Sequence, residues 1–244
     1  MTISANQPYF LAYFPYWQLI HAADVFLISD DYAYIKKGWV NRNRIEVNGQ
    51  IQYFRIEIAK ASVHRIISDT LTMPVDVRKK LQTLYLAYHK APHFEEGYRL
   101  MERILNYDDR RLSHFLTHSI HEVCDYLGIT TTLAHTSQLE GNSLLRREER
   151  IYDFCHRLGA DHYINAIGGQ KLYKREEFAK RGITLSFIHS EAGGYPRGGR
   201  PPMTDLSVVD AIMHLSREEL HRRLDLYTLI GPEGPVHPTP KTPH

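Results

Sequence analysis

The sequence predicts an α/β fold, a Rossmann-like parallel sheet that carries a β-hairpin and a helical insertion. Three observations predict it. Asp24-Val25-Phe26-Leu27-Ile28-Ser29 is a compact apolar run, the kind buried on both faces of a parallel sheet. Strand, loop, helix and strand follow one another in the opening residues, and strand and helix alternate again from Thr130 to Ile188. Between two strand-like runs stands Asn48-Gly49, the residue pair that a type I′ hairpin turn requires because both of its central positions need φ > 0.

The elements follow in order. Residues 2–7 read as a first strand, closed by Pro8, which has no N–H to give a ladder. An aromatic loop, Tyr9 to Trp17, leads into one or two helical turns over 16–23. The apolar strand 24–29 comes next and ends at Asp30-Asp31. Ligands of parallel sheets gather beyond the carboxyl ends of the strands, so Gln7 and Asp30-Asp31 are expected on one rim. The hairpin pairs 43–47 with 51–58. Apolar residues at helical spacing then predict helices over 75–89, 94–105 and 109–127, the last stopped by Gly128. Residues 60–127 thus form the helical insertion within one α/β domain spanning 1–230. Strands at 130–134, 163–166 and 183–188 alternate with helices at 144–158 and 174–180. A Gly/Pro/Arg loop at 191–202 and short helices at 206–213 and 217–226 complete the domain. Residues 231–244 hold five prolines and read as a disordered tail.

Composition narrows the function classes. With 43% hydrophobic and 24% charged residues, the 244-residue chain is an ordinary globular protein with material for a sizeable core. A net charge of +2 is too near neutral to imply a nucleic-acid partner. No stretch approaches the ~20 apolar residues of a membrane span. Cys124 and Cys155 supply no disulfide framework and fit a reducing cytoplasm, the expected location.

Several residue groups invite a chemical reading. His114, His118, His121 and Asp125 share one helical face, but the apolar residues of that helix take the opposite face, so the stripe is read as solvent-facing and no metal site is assigned. Each cysteine lies inside an amphipathic helix, where cysteine packs as a small hydrophobe. Gly168-Gly169 follows a strand and can present backbone N–H groups to an anion. Thr136-Ser137 can contact phosphate or cap the next segment. The basic loop Gly193 to Arg200 can close over an anionic ligand or serve as a surface connection.

The most informative stretch runs from Asp30 to Ile45. Asp30 and Asp31 are followed by Tyr34, Lys36, Lys37, Trp39, Asn41, Arg42, Asn43 and Arg44. Arginine forks match phosphate or carboxylate, asparagine both donates and accepts, and Trp and Tyr supply flat walls. A pocket for a small anionic or polyhydroxylated ligand uses this mixture; so does an amphipathic surface leading into a hairpin. In a strand Arg42 and Arg44 share one face and Asn41 and Asn43 the other.

Gln7-Pro8-Tyr9-Phe10 with Tyr16-Trp17-Gln18-Leu19-Ile20 resembles the opening motif of the WbqC-like protein family, and Asp30 through Ile45 resembles its second motif almost throughout. Thr136-Ser137-Gln138-Leu139, Tyr163 with Gly168-Gly169 and Tyr173, Phe178, Gly182-Ile183 and Leu206 to Asp210 follow in the family's order. Ala12 and Pro15 depart from it, standing where the family tends to have Pro and then Gly.

The resemblance implies a biosynthetic enzyme, an acyl or aminoacyl (glycine-type) transferase acting on an amine or hydroxyl of a sugar-like or specialised-metabolite acceptor. Such family members are associated with surface-polysaccharide biosynthesis. The expected site has Asp30 or Asp31 as general base. Gln7, Tyr34, Lys36, Lys37, Trp39, Asn41, Arg42, Asn43, Arg44, Ser137, Gly168, Gly169, Tyr173, Ser207 and Asp210 surround the substrates. The expected partners are a small-molecule acceptor and a carrier protein with a phosphopantetheine-bound donor. The arginines Arg146, Arg147 and Arg150 would suit an acidic carrier. No cofactor is specified. Two alternatives stay open, a nucleotidyltransferase-like enzyme and a non-catalytic scaffold that binds a carrier or partner.

Overall fold

The computed structural model of the protein describes residues 1–59 and 65–237. In chain order, β1 (Thr2–Asn6), α1 (Phe14–Ala22) and β2 (Val25–Ile28) form the first parallel unit. The hairpin β3 (Arg42–Val47) and β4 (Gln50–Arg55) follows, then α2 (Val77–Tyr88), α3 (Phe94–Leu105), α4 (Leu112–Leu127) and β5 (Thr132–His135). The second half holds α5 (Glu148–Leu158), β6 (His162–Ala166), α6 (Arg175–Ala179), β7 (Thr184–Ser190), α7 (Val208–His214), α8 (Arg217–Leu224), β8 (Tyr227–Gly231) and β9 (Gly234–Val236).

The main sheet has seven strands in the order β5-β2-β1-β6-β7-β8-β9. The first five are parallel, and β8 and β9 are added antiparallel at one edge. Alternation along each strand serves two cores. Phe26 and Ile28 join the larger cluster with α1, α4 and α7, whereas Leu27 joins Ile3, Tyr163, Leu185 and Phe187 beneath α5 and α6. The apolar run at 24–29 is therefore buried on both faces, as its composition predicts. Asn48 and Gly49 adopt φ values of +52° and +78°, the left-handed pair of the expected turn. Gly128 caps α4 at φ +72°.

Three sequence expectations are corrected. Residues 231–236 are ordered: Pro232 and Glu233 turn the chain, and β9 pairs with β8. Proline is tolerated there because β9 is an edge strand. The part of the expected tail from Pro238 on lies outside the described residues, as do residues 60–64 of the insertion. Strand β8 occupies residues 227–230, to which the sequence reading gives no element, and Gly231 of the expected tail. Helix α5 starts at Glu148, so Arg146 and Arg147 precede it, and Arg150 is buried and ion-paired rather than part of a basic outer face.

Helices α2 to α4 share the larger core with α1 and β2. The approach of α3 to α7 depends on Gly97, where a Cβ would come within 2.7 Å of Met213 Sδ and 3.2 Å of Ile212 Cγ2. Gly97→Val is expected to lower stability by about 1–3 kcal/mol through overpacking, measured as a fall in the urea midpoint at constant slope. Among the described residues no helix is long and apolar enough to cross a membrane.

Candidate ligand cleft at the carboxyl edge of the sheet

In an open parallel sheet the ligand crevice lies beyond the carboxyl ends of the strands, where the strand order reverses. The chain runs outward from β1 through β2 to β5 and then returns to the other side of β1 for β6 and β7. The reversal falls between β1, which ends at Asn6, and β6, which ends at Ala166. Two depressions meet there, and Asn6, Tyr9 and Ala166 line both.

The first lobe, about 400 Å³, is mainly aromatic and apolar: Tyr9, Tyr13, Phe14 and Tyr16 face Ile188, Tyr195 and Leu206, with His189, Ser190, Asp205 and Arg223 as polar members. Burial pushes the phenols of Tyr9 and Tyr13 up, so both remain hydroxyl donors at neutral pH. The second lobe, about 360 Å³, is bordered by Gln7, Ser29, Tyr32, Asn165, Gly168, Gly169 and Tyr173. Asn6 Oδ1 accepts from the Gln7 amide and Asn165 Oδ1 from the Ala166 amide, each at 2.8 Å. Both strand ends thus spend their carbonyl oxygen on the backbone and keep an NH₂ group as donor. Gly169 permits this arrangement, because a Cβ there would lie 2.7 Å from Asn165 Nδ2.

The aromatic loop is held in place from behind. Leu11 takes φ +47°, an uncommon conformation for a branched residue. Its carbonyl accepts from Ser207 Oγ at 2.7 Å, and the Ala12 carbonyl accepts from Trp17 Nε1 at 3.0 Å and from the Val208 amide at 2.9 Å. Ser207 therefore serves both as a lining residue and as the clamp of this loop.

Asp30 and Asp31 do stand on the rim, since the Ser29 amide donates to the Asn6 carbonyl at 2.9 Å. Their side chains turn into the protein. Asp30 is 2% exposed and receives Ser113 Oγ at 2.9 Å, Ser137 Oγ at 3.0 Å, the Ser137 amide at 3.2 Å and His135 Nδ1 at 3.0 Å. Burial pushes this carboxyl up, but the hydrogen bonds and the adjacent imidazole outweigh it and hold it below the usual carboxylate range. Asp31 receives Thr136 Oγ1 and Arg150 Nη2, both at 2.6 Å. The pair fastens the end of β2 to β5, α4 and α5.

Most of the second motif folds upon itself. Tyr34 donates to Asn41 Oδ1 at 2.9 Å, and Asn41 Nδ2 donates to the Ile56 carbonyl at 2.7 Å. Asn43 is buried and accepts the Arg44 amide. Arg42 donates to the carbonyls of Gly38 and Lys37 and stacks on Tyr53. Arg44 pairs with Asp205 at 2.6 Å and covers Trp39. Lys36, Lys37 and Trp39 are exposed. None of these residues lines either lobe; Arg44 reaches the cleft only through Asp205. Of the residues selected from sequence, Gln7, Gly168, Gly169, Tyr173 and Ser207 come together there.

The Gly/Arg loop is anchored rather than free. Arg197 has a wholly buried side chain, forked on Asp210 and bonded to Glu46, while Ala192, Gly193 and residues 203–206 of the same loop line the aromatic lobe. Asp210 is 0% exposed and so does not face the cleft. Both cysteines are buried, and burial pushes their thiols up, that of Cys155 to about 12, which leaves little thiolate. Among the described residues no group of three or more His, Cys, Asp or Glu side chains is arranged to hold a metal ion.

The sequence reading passed over Asn6, Asn165, Tyr32 and His135. The available signal for Asn6 was its position as the last strand residue before Pro8. His135 carried none, because its role depends on Asp30, 105 positions away.

A model of the WbqC-like protein family matches residues 7–222. The uncharacterised protein Rv1507c of Mycobacterium tuberculosis is 28% identical over 209 residues, which cover 83% of this chain and 89% of that protein. No solved structure matches the chain.

Proposed function

Since the chain belongs to the WbqC-like protein family, we propose that it is a biosynthetic group-transfer enzyme that moves an acyl or aminoacyl group, glycine-type, onto an amine or hydroxyl of a sugar-like or specialised-metabolite acceptor. The observation that supports this reading is the two-lobed cleft at the strand-order reversal, whose lobes share Asn6, Tyr9 and Ala166. Two compartments that meet at one junction suit a two-substrate reaction, in which holding both reactants in place supplies much of the rate. In this reading the aromatic lobe takes a ring against Tyr9 and Tyr13. The amide and glycine groups of the second lobe take the polar end of the donor, a phosphopantetheine thioester among the candidates. Asp30, saturated by its neighbours, shapes the rim and does not act as the base directly.

The test is thermal stabilisation of the protein by nucleotide sugars, amino acids, phosphopantetheine, nucleotides and Mg²⁺. A ligand at a hundred times its Kd contributes about 2.7 kcal/mol, a rise of roughly 5–10 °C at ~2–4 °C per kcal/mol for a chain of this size. Tyr9→Ala is expected to abolish the shift measured from its own melting baseline. A shift with nucleotide and Mg²⁺ alone would favour the nucleotidyltransferase-like alternative; no shift with any of these ligands would favour the scaffold.

A further inference from the structure

A separate depression, about 410 Å³, opens beside α4 and the end of β5. Its wall carries four imidazoles, His114, His118, His121 and His135, with Thr117 and Gln138. None of these residues lines the cleft.

The hydrogen bonds around His135 determine what it presents. Asp30 is acceptor-only when ionised, and three of its four donors fall on Oδ2, His135 Nδ1 among them. The ring proton of neutral His135 is thereby held on Nδ1, and Nε2 carries the lone pair. Nε2 lies 3.3 Å from Thr117 Oγ1, but that hydroxyl gives its hydrogen to the Ser113 carbonyl at 2.8 Å. Nε2 is therefore an unspent acceptor in the groove wall, on a side chain 20% exposed. A carboxylate-oriented imidazole with an open Nε2 is the arrangement of a general base. Tyr107 and His118 lie face to face beside it, centroids 4.2 Å apart and 14° from parallel, a flat surface on which a ring can rest.

We propose that His135 is the general base of a second reactive site, in which a polyhydroxylated or aminated small molecule seated in the histidine-lined groove gives a hydroxyl or amine proton to Nε2, with Asp30 as the positioning residue. With an activated acyl ester as co-reactant the step balances. The ligand O–H or N–H bond breaks and its proton goes to Nε2. The freed lone pair forms a bond to the ester carbonyl carbon, the ester C–O bond breaks, and the leaving oxygen takes the proton back from Nε2. This site does not rest on the transferase reading of the cleft.

The experiment follows p-nitrophenolate release from p-nitrophenyl acetate with ethanolamine as acceptor, and separates acetylated ethanolamine from acetate. Wild-type protein is expected to exceed an equal concentration of free imidazole. His135→Gln is expected to lose about 100-fold or more of the protein-dependent rate while still melting cooperatively above the assay temperature. Asp30→Asn, which removes the acceptor that holds the ring proton on Nδ1, is expected to lower kcat with little change in KM for the ester. His156→Gln, an exposed imidazole on α5, is expected to behave as wild type. Equal rates for His135→Gln and wild type, an equal loss in His156→Gln, or a wild-type rate no greater than that of imidazole would each overturn the proposal. The thermal shifts at the cleft do not involve His135, so either idea can fail without the other.

Discussion

Arg197→Ala is expected to lower the unfolding free energy by about 3–5 kcal/mol, the cost of leaving buried charges without their partner. The side chain is 0% exposed; Nε and Nη2 each lie 2.8 Å from one oxygen of Asp210, and Nη1 lies 2.8 Å from Glu46 Oε2. Tyr195 adds its hydroxyl to Asp210 at 2.8 Å. One guanidinium thus joins the hairpin strand β3, the loop lining the aromatic lobe and helix α7. Arg197→Met is expected to cost nearly as much as the alanine variant, because the methylene stem is replaced but the buried Asp210 keeps only the Tyr195 hydroxyl and His214, and Glu46 only Arg200 at 3.6 Å. Arg197→Lys is expected to recover only part, since an ammonium cannot form the fork. Urea unfolding with unchanged slope measures all three. A cost below about 1 kcal/mol for Arg197→Met would show that the carboxylates find water or other partners. The same variants should weaken any thermal shift produced at the cleft.

Asp30→Asn is expected to cost about 3 kcal/mol at pH 7, the scale of a buried charged group stripped of its hydrogen bonds. The amide keeps one acceptor and turns a donor toward Ser113, Ser137 or His135. Because Asp30 is held below the usual carboxylate range in the folded protein, its contribution is complete above the unfolded-state value. It is lost as pH falls through the lower folded-state value. The difference between wild type and variant should therefore be constant near neutral pH and narrow below about pH 4. Urea midpoints measured at pH 7 and at successively lower pH test this; a gap that widens on acidification would contradict the assignment.

Much of the architecture was legible because its signals are local. The apolar run at 24–29, the Asn48-Gly49 turn and the Gly128 cap each express a backbone or burial preference of a few neighbouring residues, and each element lies where that preference put it. Strands β8 and β9 were not legible. The apolar part of β8, Tyr227 to Ile230, is too short for periodicity to assign, and its place is set by pairing with β7, some forty positions earlier. Strand β9, Gly234-Pro235-Val236, carries a weak local preference and is ordered by pairing with β8.

The site divides in the same way. Strand ends and the order of strands and helices suffice to bring Gln7, Gly168, Gly169 and Tyr173 to the carboxyl rim, since ligand position in a parallel sheet follows from topology. The sequence by itself determined the family, the α/β class and that rim. Whether a charged side chain on the rim faces ligand or protein was decided only by the tertiary structure. Asp30 meets Ser113, His135 and Ser137 at separations of 83, 105 and 107 residues, and Asp31 meets Arg150 at 119. A buried carboxylate must find its donors wherever the fold brings them, and periodicity and turn chemistry, which act over a few residues, carry no record of those partners.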